Sequence, residues 1–95
     1  MLSEFDTRFK MVGDCEQQAI NLLEHRAKLG DASPCGEVEY HVKGHAGEGK
    51  PPHDIVIGCR VAVRRPNGRR VHTFTLNGQR IARHKIALRL GELGA

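Results

Sequence analysis

The chain has no tryptophan, and its aromatic side chains are three Phe and one Tyr among 95 residues. A core with so few rings must rest on aliphatic side chains, and a chain of this length builds one domain. Nowhere do 18 apolar residues follow one another, so no segment reads as a membrane span and no membrane partner is expected. The N-terminal stretch MLSEFDTRFK lacks the basic start and apolar core of a signal peptide, and a cytoplasmic location is expected from it. Cysteine is scarce: Cys15, Cys35 and Cys59 are odd in number and widely spaced. That is a poor disulfide framework and suits a reducing compartment.

The most informative lack is of acid. From Ile55 to Gly91 there is no Asp or Glu. Residues 55–95 carry nine Lys/Arg against one acid, a net of +8, whereas residues 1–54 carry six against ten, a net of −4. A polarised chain with a pI of about 9.3 points to an anionic partner for its second half, most often nucleic acid. A solvated basic surface without a partner would have the same composition.

What is present organises as helix, strands, helix. Asp14 to Gly30 has Ala19, Ile20, Leu23 and Ala27 at helical spacing, Asp14 and Gln17 as a capping box, and Gly30 as the stop. Ahead of it, Phe5, Thr7, Phe9 and Met11 alternate as in a short strand, although Leu2, Phe5, Phe9 and Val12 also fit a helix. Residues 1–13 are therefore expected to form a separate N-terminal extension, read as an extra strand, before a domain at 14–95. Glu37 to Lys43 alternates, with Val38, Tyr40 and Val42 on one side. Ile55 to Arg65 is the strongest strand, with Ile57, Cys59, Val61 and Val63 on its apolar face and Arg60 and Arg64 on the other. Asn67-Gly68 is a hairpin signal. A two-residue loop there pairs Val63 with His72, Val61 with Phe74 and Cys59 with Leu76. Asn77 is expected to cap a last helix that runs to about Leu90 or Leu93. The expected fold is α+β, α-β-β-β-α, a three-stranded antiparallel sheet with both helices packed on one face.

Motifs for chemistry fail on their surroundings. Gly44 to Lys50 has the spacing of a phosphate-cradling loop, but Pro51 stands where a Ser or Thr would hold magnesium, and a strand follows instead of a helix. Cys35, His41, His45, His53 and Cys59 include no Cys-x-x-Cys pair, and Cys59 is needed in the core. Glu39 and His41 share a strand face without a nucleophile. No catalytic residue, metal site or cofactor is expected.

Several segments, in order, resemble the double-stranded RNA-binding domain. Asn21 to Gly30 looks like its first helix and glycine end, and Pro34 to Val42 like the approach to its first strand. Lys50-Pro51-Pro52-His53 resembles its G-P-x-H loop, with Lys50 in place of Gly. Ile57 to Val63 stands where F-x-V-x-V stands, and Gln79-Arg80-Ile81-Ala82-Arg83 resembles K-K-x-A-K. The resemblance implies recognition of A-form RNA by shape, across minor grooves and the phosphates between them. It assigns Arg80, Arg83 and Lys85 to phosphates, Lys50 and His53 to one minor groove, and Gln17, Asn21 and Glu24 to the other. Arg60 and Arg64, on the far sheet face, are left for a protein-facing surface. The expected partner is RNA, an A-form duplex or a structured guide RNA, free or inside a ribonucleoprotein. The competing reading is a phage-type inhibitor or adaptor, similar to anti-CRISPR proteins, that docks on a nucleic-acid-processing complex and blocks its binding surface.

Overall fold

The computed structural model describes residues 4–45, 47, 49–64 and 67–95. The elements are α1 (Glu4–Lys28), β1 (Cys35–Gly44), β2 (His53–Arg64), β3 (Arg69–Leu76), β4 (Gln79–Arg80) and α2 (Arg83–Glu92). The four strands form one antiparallel sheet in sequence order, β1-β2-β3-β4. The Gly44 to Lys50 stretch with the phosphate-loop spacing starts on the last residue of β1 and continues into the loop 45–52 before β2, and Ala46 and Glu48 of that loop lie outside the described residues.

The α+β class holds, and the two helices cover one face of the sheet. Ile55, Ile57, Cys59 and Val61 of β2, with Phe74 and Leu76 of β3, pack against Val12, Cys15, Ala19 and Leu23 of α1 and Ile86 and Leu90 of α2. These side chains are at most 7 % exposed. The core is nearly all aliphatic, as the shortage of rings requires.

Four expectations are corrected. First, the segment read as an N-terminal strand is the first half of α1, which runs unbroken from Glu4. Leu2 lies outside the described residues. Val12, Cys15, Ala19 and Leu23 recur at three and four residues, so the core-facing stripe carries straight through Asp14. Extending a helix adds one hydrogen bond per residue fixed, whereas starting a new element needs a new nucleus. Asp14 is thus an exposed mid-helix residue, and no cap is needed there. The glycine stop does hold: Gly30 has φ of +90°, its N–H donates to Ala27 O, and Asp31 N–H donates to Arg26 O.

Second, β2 and β3 pair two residues out from the expected register. Val61 lies opposite His72, Cys59 opposite Phe74, and Val63 opposite Arg70. The closing pair is Arg64–Arg69, so the loop between them, residues 65–68, is four residues long and not two. Arg65 and Pro66 lie outside the described residues. A slip of two keeps every side chain on its face, so the apolar face survives the error.

Third and fourth, the sheet has an extra strand, and Asn77 does not cap α2. Asn77 and Gly78 have φ of +51° and +81°, as a two-residue hairpin loop requires, and they turn β3 into β4. Asn77 is held to β2: its N–H donates to Val56 O, and its Oδ1 accepts from Val56 N–H. The helix starts six residues later, behind Ala82, with no side-chain cap.

Glycine fixes how closely the layers approach. A Cβ on Gly36 would lie 1.7 Å from Ala19 O, so β1 rests directly on the α1 backbone. At the other end of β1, a Cβ on Gly44 would come to 2.5 Å from Leu93 O. His45 N–H also donates to Gly94 O, which ties the C-terminus of α2 to the end of β1.

Candidate nucleic-acid interface

The short β4 reverses the chain before α2 begins. Ile81 N–H donates to Phe74 O, so α2 starts beside the middle of β3, where Arg83 meets Glu16. It ends at Gly44 and His45, next to the β1–β2 loop. The helix N-terminus and that loop are therefore separated by the ten residues of α2, about 15 Å. Lys50 and the half-buried His53 sit at one end, and Arg83, His84 and Lys85 at the other.

Several expected contact residues already have partners. Arg83 Nε lies 3.3 Å from Glu16 Oε1, and its guanidinium sits 5.3 Å from the Phe9 ring centroid. The other Glu16 oxygen lies 2.9 Å from His72 Nδ1. Glu16 thus joins α1, α2 and β3 at one point, a role with no signal in the sequence pattern. Glu24 accepts from Arg70 at 3.3 Å. Gln17 Nε2 donates to Asn21 Oδ1 on the exposed side of α1. Lys85 is exposed on the first turn of α2, where no acidic residue stands.

The outer sheet face, which no helix covers, collects a different set. Alternation places Arg60, Ala62 and Arg64 of β2 and Arg69, Val71, Thr73 and Thr75 of β3 on this side. Register then sets Arg64 directly opposite Arg69 and Arg60 opposite Thr73. Arg80 pairs with Thr75 across β3–β4 and so shares its face. Arg60 and Arg64 border a shallow floor of Ala62 and Val71 with Thr73 beside it. Arg69 lies across from Arg64, and Arg80 lies farther along the face, across from Thr75. Gly58 makes room for Thr75, whose Oγ1 would be 2.4 Å from a Cβ there.

The electrostatics of this face are unbalanced. Like charges directly opposite in a sheet are destabilising, yet Arg64 and Arg69 close the hairpin. Among the described residues, no ion pair engages Arg60, Arg64, Arg69 or Arg80. Glu37 stands opposite Arg60 in register, but the two do not close to an ion pair. The acids Glu37 and Glu39 occupy β1, so the face runs from acidic at one edge to basic over β2–β4.

The sequence pattern separates Arg60 and Arg64 from Arg80 and does not single out Arg69. For Arg80 the reason is the unexpected strand β4, and for Arg69 it is the two-residue register difference: with a shorter loop Arg64 faces Val71, and Arg69 falls beside the turn. The paired basic run of Arg64-Arg65 and Arg69-Arg70 around Asn67-Gly68 was the available signal.

The side chains considered for metal or catalysis are divided between the two sides of the sheet. Cys59 is buried in the core, whereas Cys35 and His41 lie on the outer face. Among the described residues, no three His, Cys, Asp or Glu side chains converge. Glu39 and His41 lie 3.6 Å apart in the open. All three cysteines are free thiols. Burial, with the nearby Cys15 and Glu16, pushes the Cys59 thiol up to about 12, and burial with the Glu16 charge raises Cys15.

No helix among the described residues is long and apolar enough to cross a membrane. Comparison with family models, curated proteins and solved structures found no match.

Proposed function

We propose that this chain is a non-catalytic protein that binds the phosphate backbone of structured RNA, alone or within a ribonucleoprotein. The surface we assign to it is the outer sheet face. The observation that carries the reading is the Arg64–Arg69 pair, joined by Arg60 and Arg80 on one face without an acidic partner among the described residues. Such a repulsive arrangement is relieved when a polyanion lies across it. Guanidinium groups take phosphate oxygens two at a time, and Arg60 and Arg64 are about 13 Å apart along the strand, so they can meet different phosphates. The Thr73 and Thr75 hydroxyls beside them can exchange hydrogen bonds with a ribose 2′-hydroxyl, the group that separates RNA from DNA. Ala62 and Val71 give the floor no base-reading group, so binding should follow shape and charge.

This differs from the helix-face contacts that the double-stranded RNA-binding domain implies. Those need the start of α2 and the β1–β2 loop on one surface, and the reversal of α2 moves them apart. Arg80 is retained, Arg60 and Arg64 change role, and Arg69 is added.

The test is titration of a labelled A-form RNA duplex at low salt, competed with B-form DNA of the same sequence. Wild type should bind, DNA should compete less well, and Arg64→Ala/Arg69→Ala should bind about tenfold or more weakly. Wild type that ignores free RNA at low salt would refute RNA binding by this chain alone. Tight binding of one assembled ribonucleoprotein in that case would put the inhibitor or adaptor reading in its place.

A further inference from the structure

The sheet has an open edge at β1, whose second side meets no strand among the described residues. The phase of the ladder shows which backbone groups point there. Val56 exchanges hydrogen bonds with Asn77 on the β3 side, so odd-numbered residues of β2 turn their N–H and C=O toward β1. Their β1 partners are even-numbered: Gly36, Val38, Tyr40 and Val42. The odd residues Glu37, Glu39, His41 and Lys43 therefore offer their N–H and C=O groups to the outside. Unpaired edge groups of this kind are a template for another strand.

The side chains along that edge are self-complementary. We propose that the chain forms a two-fold homodimer by antiparallel pairing of two β1 edges, with Tyr40 opposite Tyr40, Glu39 opposite His41, and Glu37 opposite Lys43 of the second copy. In this register the outward-pointing residues fall opposite one another, as hydrogen-bonded pairs must. Every Glu then faces a basic residue, and every basic residue a Glu. A shift of two residues one way sets Glu39 against Glu39; the other way sets His41 against His41. A shift of one turns apolar side chains to the polar face. An interface in which residue i meets j while j meets i is what two-fold symmetry requires.

The other side of the same strand supplies the apolar part. Val38, Tyr40 and Val42 are only half-buried, unlike the corresponding row of β2. On α1, Glu16 and Glu24 mark the flank toward β3 and α2. Met11 and Leu22 occupy the opposite flank, toward the open edge. Leu22 is 41 % exposed there. Pairing of the β1 edges extends the half-buried row into a continuous strip between two copies, with Leu22 above it. The acidic edge is neutralised by the same step, and none of the outer-face arginines is used, so the dimer and the RNA reading stand or fall separately.

Charge reversal tests this by mass in solution, on nuclease-treated protein. Sedimentation of wild type should show a reversible dimer of twice the 10.5 kDa chain. Lys43→Glu alone and Glu37→Lys alone each turn attractive pairs into repulsive ones, and each should weaken the dimer roughly tenfold or more. Mixing the two variants should restore it as a heterodimer. The native Glu37 of one chain then meets the native Lys43 of the other, and the two substituted side chains, opposite in charge, meet each other. The double variant Glu37→Lys/Lys43→Glu should pair with itself as well as wild type does. Both positions are exposed, and within its own chain Lys43 gives up only a solvent-exposed pair with Asp54, a pair worth little to stability, so circular dichroism should not change. Wild type that stays monomeric at its highest soluble concentration would overturn the proposal. So would single variants that dimerise like wild type, or a mixture that remains monomeric.

Discussion

Gly36 sits where a side chain has no room at all. The oxygen that a Cβ would strike belongs to the Ala19 backbone, inside a helix that cannot give way locally. Gly36→Ala should therefore cost about 3 kcal/mol or prevent folding, read as a shift in the urea midpoint. Val61 is fully buried in the central strand. Val61→Asp places an unpaired charge there, a cost of several kcal/mol, and should abolish the cooperative thermal transition. Cys59 gives a pH signature. Its thiol rises from an ordinary 9.0 to about 12 in the folded chain. Above pH 9 the unfolded chain releases that proton and the folded chain does not. The contribution is complete below pH 9 and is lost as pH rises toward 12, at most about 1.4 kcal/mol per pH unit. Cys59→Ala should remove that part of the alkaline slope. In the folded wild type, mass spectrometry after brief alkylation should find Cys35 modified before Cys15 and Cys59, both of which are buried.

At the scale of elements, side-chain periodicity was legible and turn chemistry was misplaced. Ile55, Ile57, Cys59 and Val61 alternate so regularly that the buried face of β2 could be read directly. The same alternation misled at Phe5 to Met11, where Phe5 and Phe9 fit both periods and the continuing stripe at Val12, Cys15 and Ala19 decides for helix. Two Asn-Gly pairs compete for one signal: Asn67-Gly68 lies in the wider loop, and Asn77-Gly78 makes the tight turn. Nothing local distinguishes them, because the difference lies in the Asn77 bonds to Val56, twenty-one residues away in sequence. The direction of α2 follows from that turn, and with it the separation of the expected helix-face contacts. Asn77→Ala should lose about 1–2 kcal/mol, through its left-handed φ and the missing acceptor for Val56 N–H. Asn77→Gly should recover only the backbone part, and chemical denaturation of the three proteins separates the two contributions.

For the molecule as a whole, segregation of charge in the sequence becomes segregation across one surface. The acid-free stretch from Ile55 to Gly91 contains β3, β4 and most of β2 and α2. Its arginines divide between the two sides of the sheet. On the helix side Arg70 and Arg83 are paired with Glu24 and Glu16. On the outer side Arg60, Arg64, Arg69 and Arg80 have no acidic partner among the described residues. That contrast separates arginines that hold the fold from arginines available to a ligand. Composition alone counts them together. The salt dependence of RNA binding, measured variant by variant, tests it most directly. Each phosphate that a variant no longer engages should lower the log–log slope by about 0.7–0.9. The account predicts that Arg64→Ala/Arg69→Ala flattens the slope by roughly 1.5–2, while Lys50→Ala/Lys85→Ala leaves it unchanged. A slope unaffected by the first pair and flattened by the second would contradict it, and would return the RNA to the helix side.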